Sequence, residues 1–120
     1  MSIESDKLGR HGEELAAQLL QDKGLELLER NFRFKRYEID LIARDKDTLV
    51  FVEVKSVSTF VMGIPEYRVD IRKQQKIIKA AQAFLQMNDY VDIDCRFDVV
   101  TIIWKKPNAV VKHYQDAFWA

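Results

Sequence analysis

The 120-residue sequence predicts an α/β fold in three layers, a mixed five-stranded central sheet with helices on both faces. Two observations lead there. Stretches with apolar residues at helical spacing alternate with runs rich in Val, Ile, Leu and Phe, in the order helix, three strands, helix, two strands. The run Leu49–Val54 is also apolar at both parities around Glu53, as a strand must be when helices cover both faces of its sheet.

Composition sets outer limits. Hydrophobic residues at 48% and charged residues at 32% describe one folded soluble domain of ordinary size, not a disordered chain. No apolar run is long enough to cross a membrane, and Met1–Glu14 lacks the apolar core of a secretion signal. The lone Cys95 leaves no internal disulfide and suits a reducing cytoplasm. With 19 basic and 19 acidic residues the net charge is zero, so a nucleic-acid partner has to be met by a local patch.

The first helix is expected from Ser5 or Asp6, both good caps, to Lys23, with Gly24 as its stop. Leu8, Gly12, Leu15, Ala16, Leu19 and Leu20 form its apolar stripe. Glu14 points away, while Glu13 lies at the stripe's edge beside Leu20. Bending outward to solvent is the ordinary outcome for such an acid. A third carboxylate near Asp40 and Glu53 is the other. His11, near the opposite edge, reads as a surface group.

Leu25–Asn31 forms a short strand without clean alternation. Arg30, Arg33, Lys35 and Arg36 follow with Phe32, Phe34 and Tyr37 interleaved, a pattern that suits a phosphate backbone and unstacked bases. A solvated strand edge with its aromatics in the core fits equally well.

The next two strands, Glu38–Arg44 and Leu49–Lys55, close a hairpin through Asp45-Lys46-Asp47-Thr48. If Arg44 pairs with Leu49, then Ile42 faces Phe51 and Asp40 faces Glu53. Alternation sends Glu53 and Lys55 to one face and Val50, Val52 and Val54 to the other. Opposed like charges destabilise a sheet, and a divalent cation with Lys55 beside it would compensate them. The plainer alternative is a half-exposed salt bridge from Lys55 to Asp40 or Glu53, which contributes little. The apolar flanks favour a site, because charges at the end of a covered strand are costly to desolvate.

Residues 56–67, with Gly63, Pro65 and the pair Phe60-Val61, form a long loop that suits a mobile flap or a partner-binding element. The second helix runs from Val69 or Asp70 to Met87, burying Ile77, Ala80, Ala81, Phe84 and Leu85. Lys73 falls on that stripe, whereas Arg72, Lys76 and Lys79 cluster on the opposite face. Lys73 either snorkels to solvent or reaches Asp40 and Glu53, where a cation at a helix N-terminus favours a phosphate. Arg96–Trp104 is a buried strand, Lys105–Asn108 a turn and Ala109–Tyr114 the last strand. The tail Gln115–Ala120 carries Phe118 and Trp119, which tuck onto the domain or contact another subunit.

A helix with an inward Glu, then Asp40, then Glu53-x-Lys55 resembles the PD-(D/E)xK nucleases of the restriction-endonuclease fold, with Ile39-Asp40 in place of Pro-Asp. The runs Gly9–Leu20, Glu29–Arg33, Glu38–Asp45, Val50–Lys55, Gly63–Ile77 and Arg96–Val100 together resemble the YraN-like family of small bacterial proteins, itself similar to archaeal Holliday-junction resolvases. The resemblance implies that Glu13, Asp40, Glu53 and the backbone carbonyl of Val54 hold Mg²⁺, with Mn²⁺ as a substitute. It implies that Lys55 orients or activates the attacking water and that Lys73 holds a phosphate oxygen. Arg30, Arg33, Arg36, Lys76 and Lys79 would then track the DNA backbone without reading sequence. A branched DNA substrate and a homodimer are implied in the same way. Three functions follow: an endonuclease, a DNA-binding module on the same fold without turnover, and an interaction protein using the 56–67 loop and the C-terminal aromatics. The intact Asp40, Glu53 and Lys55 favour the first, and the balanced charge favours the third.

Overall fold

Small and apolar residues three and four apart wind Ile3–Asp22 into α1. The helix opens before the expected caps Ser5 and Asp6, since cap preference marks the neighbourhood of a helix start more than its residue. Its end is as expected. Gly24 takes φ 91° and donates its N–H to the Gln21 carbonyl at 2.9 Å, while Leu25 donates to Leu20 at 3.0 Å. The computed structural model describes residues 3–57, 63–105 and 107–120.

Five strands follow: β1 (Glu26–Phe34), β2 (Tyr37–Asp45), β3 (Thr48–Val57), β4 (Asp94–Lys105) and β5 (Asn108–Phe118), with α2 (Ile71–Met87) between β3 and β4. They lie side by side in chain order. β3 and β4 are parallel and every other pair is antiparallel, so the sheet is mixed, as expected. Ala16, Ala17 and Leu20 of α1 pack on Leu41, Val50, Val52 and Ile102 on one face. Ile77, Ala80 and Phe84 of α2 pack on Ile42, Phe51 and Val99 on the other. That parity leaves Glu53 and Lys55 on the α2 side.

Ile42 faces Phe51, which matches the expected register. The turn is tighter than expected: Asp45 pairs with Thr48, and Lys46 turns the chain with φ 56°. β1 extends to Phe34, and a bulge between Leu27 and Glu29 accounts for its irregular alternation, with Leu27 under α1 and Leu28 under α2.

β5 continues past Tyr114 to Phe118, so most of the expected tail belongs to the sheet. A bulge hides this in the sequence. Asp116, at φ 53°, lies in the irregular stretch opposite Asp98, and Phe118 then regains register against Phe97 with ring centroids 5.0 Å apart. Trp119 remains outside, 78% exposed. Phe60 and Val61 lie outside the described residues. From Gly63 the chain turns, Arg68 donating to the Pro65 carbonyl at 3.1 Å, and reaches Asp70, which caps α2 by accepting from the Arg72 amide. Among the described residues no helix is long and apolar enough to cross a membrane.

Asp98 is buried on β4 and is fully served. Its carboxylate accepts from Arg96 Nε at 2.9 Å and Nη2 at 3.0 Å, from the Asp116 amide at 3.1 Å, and bonds His113 Nε2 at 2.7 Å. Burial alone would raise its pKa, but the His113 and Arg96 hydrogen bonds and the Asp116 amide outweigh it and hold the carboxyl below its usual value. Asp98→Ala leaves Arg96 and His113 without their common partner, and we expect a loss of about 3–5 kcal/mol in urea unfolding at pH 7. Because the folded pKa is depressed, Asp98 contributes its stability above its unfolded value of 3.8, and the variant's deficit should shrink in stronger acid. A deficit below about 1 kcal/mol would mean that the network is dispensable.

Candidate active site

The β2–β3 ladder runs from Asp45 and Thr48 to Leu41 and Val52. At the next position a side chain takes over: the Val54 amide donates to Asp40 Oδ2 at 2.8 Å. That bond pins the Asp40 carboxylate against β3, beside Glu53. Glu53 lies next to Val99 of β4 in the parallel register and is only 7% exposed. Burial, then the charge of Asp40 and the hydrogen bond between the two carboxyls, push the Glu53 pKa up to about 8, against the pull of Lys73. Near neutral pH Glu53 therefore largely keeps its proton.

Lys73 is the lysine that answers them. Its Nζ lies 3.0 Å from Glu53 Oε1, so of its two expected placements the structure adopts the one that reaches the carboxylates. Burial works against its charge, but the Glu53 carboxylate, with Asp40 and Glu38 farther off, keeps its pKa above the usual value. The alternative of a salt bridge from Lys55 to Asp40 or Glu53 is not formed. Lys55 stands two residues along β3, toward the loop, and its Nζ donates to the Arg68 carbonyl at 2.8 Å.

Glu13 is half-buried on α1 and feels Asp40, so it does not simply bend away into solvent. Burial and the Asp40 charge raise its pKa, while a hydrogen bond from Asn31 and, more weakly, the charge of Arg30 lower it. Yet among the described residues no three His, Cys, Asp or Glu side chains approach closely enough to hold one metal ion. The expected cage of Glu13, Asp40 and Glu53 is therefore not assembled. The reason is topological: Glu13 comes from the α1 face, Glu53 from the α2 face, and Asp40 stands between them. The Asp40–Glu53 pair by itself fits a hard divalent cation, because two adjacent carboxyl groups, one raised in pKa by the charge of the other, are a ready oxygen donor set. Mg²⁺ commonly takes one or two carboxylates and keeps several waters.

Glu53, Lys55, Arg68 and Lys73 bound an open cavity of about 410 Å³. A second, of about 320 Å³, is bounded by Arg36, Tyr37, Arg72 and Lys76, with Lys73 common to both. Arg72, Lys76 and Lys79 are exposed, as expected of an outward ridge, but the ridge does not turn away from the site. Arg72 and Lys76 share a cavity wall with Lys73, and Lys79 Nζ lies 5.5 Å from the Tyr37 ring centroid. Arg33 pairs with Glu38 at 3.7 Å.

Glu38, Asn31 and Arg68 were not marked by sequence. The parity of Glu38 with Asp40 was the available signal, whereas Arg68 acts through its main chain and leaves none. His11, read as a surface group, is exposed and stacks on Trp104 at 5.6 Å.

Fold and site together define an α/β protein with a buried glutamate, raised in pKa, beside a half-buried aspartate and attended by lysine. The chain belongs to Uncharacterised protein family UPF0102, whose model matches residues 12–102. It is 48% identical to a UPF0102 protein of Prosthecochloris aestuarii over 100% of this chain and 99% of that one. It is 45% identical to one from Chlorobium chlorochromatii (94% and 92% covered) and 42% identical to one from Lawsonia intracellularis (97% and 88%).

A raised carboxyl pKa has a definite sign in stability. Glu53's contribution is complete below its unfolded value of 4.5 and is lost as the pH rises through about 8. Glu53→Gln removes the titration but keeps the shape. The variant should melt near the wild-type temperature at pH 5 and several degrees above it at pH 8.5, a difference on the order of a few kcal/mol. Parallel melting curves across that range would mean that burial and Asp40 do not raise the Glu53 pKa.

Proposed function

We propose that this protein is a metal-dependent endonuclease that hydrolyses phosphodiesters in DNA, built on the restriction-endonuclease fold. The observation that carries this reading is buried Glu53 beside half-buried Asp40, with Lys73 on Glu53 and Lys55 close by, at the wall of a cavity that continues into a cluster of exposed cations. A hard divalent cation between the carboxylates would neutralise a phosphodiester and acidify a water. Glu53 and Asp40 would hold it, and Asp40 is kept in place by the Val54 amide.

Lys73 then has a second task. With a cation on Glu53, the Lys73 ammonium would be free to hold a non-bridging phosphate oxygen, where charge grows during hydrolysis. Lys55 would exchange the Arg68 carbonyl for the attacking water, donating to it and so orienting and polarising it. Arg30, Arg36, Lys76 and Lys79 meet the strand on either side without reading bases. Branched DNA as substrate, and a dimer to hold it, rest on the likeness to resolvases.

A second reading has its own support. Glu53 and Lys55 each already have a partner within the chain, as a DNA-binding module without turnover would keep them. Of the aromatics in the interaction-protein reading, Phe118 is buried on Phe97, which leaves Trp119 alone exposed at that end.

Mn²⁺ titration by calorimetry, with cleavage of branched and linear duplexes, separates the first two. Asp40→Asn should lose most Mn²⁺ affinity and all cleavage while melting no lower than wild type without metal. Lys55→Ala should keep metal and DNA binding while cleavage falls by about 10²–10⁴. Equal residual nicking by wild type and Lys55→Ala points to contamination and leaves the binding module. Metal must also displace the Glu53 proton, so Mn²⁺ affinity should climb by up to about tenfold per pH unit and level off near pH 8. Affinity that ignores pH between 6 and 8 would place the metal elsewhere.

A further inference from the structure

The β1–β2 turn lifts Arg36 and Tyr37 against the first turns of α2. Lys35 takes φ 55° there, which lets Phe34 pair directly with Tyr37 across a tight reversal. The Tyr37 ring then gathers two cations. The Arg36 guanidinium carbon lies 5.7 Å from its centroid and Lys79 Nζ 5.5 Å. An aromatic face attracts cations by its quadrupole, so Tyr37 holds side by side two charges that would otherwise swing apart into solvent. The same neighbours lower the pKa of its hydroxyl, the Arg36 hydrogen bond first and the Lys79 charge next.

Arg72 and Lys76, one helical turn apart on α2, close the opposite wall, and buried Ile77 lies at the base. The acids in this cavity are engaged elsewhere: Glu38 with Arg33 at 3.7 Å, and Asp70 Oδ1 with the Arg72 amide at 2.9 Å. Among the described residues, Arg36, Arg72, Lys76 and Lys79 make no ion pair with a carboxylate. In a chain of zero net charge, three such cations lining one cavity, with Lys79 held beside it on the Tyr37 ring, call for an anion. Arginine forks present two parallel donors to phosphate oxygens, and lysines add point charge. Lys73 lines this cavity and the one at Glu53, so the two are adjoining rooms along one path.

We propose that this cavity is a phosphoryl-binding subsite, organised by Tyr37, for a phosphate of the same nucleic-acid strand that presents a phosphodiester to Asp40 and Glu53. It rests on the nucleic-acid reading of that carboxylate pair. Arg36, Arg72 and Lys76 touch the phosphoryl oxygens, with Lys79 adding charge from the Tyr37 ring. Tyr37 is a positioning residue that acts through Arg36 and Lys79. An internal phosphodiester and a terminal phosphomonoester offer the same oxygens, the terminal group with more charge.

The test measures binding of a fluorescent single-stranded oligonucleotide by anisotropy in EDTA, with and without a 5′-phosphate, over a series of salt concentrations. Arg36→Gln combined with Lys76→Gln should weaken binding at least tenfold and lower the magnitude of the salt slope by about one unit. Tyr37→Ala should reproduce that loss, whereas Tyr37→Phe, which keeps the ring, should stay within about twofold of wild type. Inorganic phosphate should compete with the oligonucleotide on wild type and lose that competition in the double variant. A preference for the 5′-phosphorylated strand that disappears in the double variant assigns a terminal phosphate. An equal loss for both strands assigns an internal one. If wild type cleaves DNA but the double variant binds with unchanged affinity and salt slope, the subsite is wrong and the endonuclease reading stands. If wild type neither binds the oligonucleotides nor cleaves DNA, that reading fails and the subsite fails with it.

Discussion

As far as Val52, β3 has no free edge and no open face, and Glu53 just beyond is only 7% exposed. β2 pairs with it on one side and β4 on the other, while α1 and α2 cover its two surfaces. Water cannot answer a charge placed there, so the chain must. Much of the local architecture follows from that constraint. Asp40 forgoes a place in the ladder and gives its carboxylate to the Val54 amide. The N-terminus of α2 is set by the Asp70 cap and by Gln74 donating to the Val69 carbonyl, and this aims Lys73 at Glu53. The carboxyl pair remains only partly satisfied.

The same sheet shows what full satisfaction looks like. Asp98 is buried at least as deeply as Glu53, yet it receives Arg96, His113 and an amide, and its pKa falls where that of Glu53 climbs. Residue type and depth do not decide the difference; the number and sign of the neighbours do. Natural sequences settle buried charges where structure is the only demand. They leave one unsettled where another role competes with stability.

Local spacing made the centre of the fold legible. Turn chemistry between Asp45 and Thr48 fixed the register that brings Asp40 to Glu53, and the helical stripe of α2 placed Lys73 inward before any coordinates. What stayed hidden depends on contacts between distant segments or on the main chain. Nothing near Lys55 announces that its partner is the Arg68 carbonyl. The bulge at Asp116 broke the alternation of β5 and disguised Phe118 as part of a tail. Glu13 was placed at the right edge of α1, but a helical wheel cannot tell that α1 and Glu53 occupy opposite sides of the sheet. For that reason the structure does not gather the three carboxylates. Lys76 and Lys79 were assigned outward correctly, while the approach of Tyr37 that gathers them depends on the β1–β2 turn.

The parallel pairing of β3 with β4 also sets an order of events during folding. β1, β2 and β3 are joined by short turns and can meet early, whereas β4 arrives only after the chain has passed through α2 and returned. Loop closure makes that docking the slower step. Until it happens β3 is an edge strand, and Glu53 is still wet and ionised above about pH 5. Proton uptake by Glu53 therefore belongs to the last stage of assembly. An alkaline refolding mixture should hold the β1–β3 meander longer with its outer edge unpaired, the species most open to strand exchange between chains.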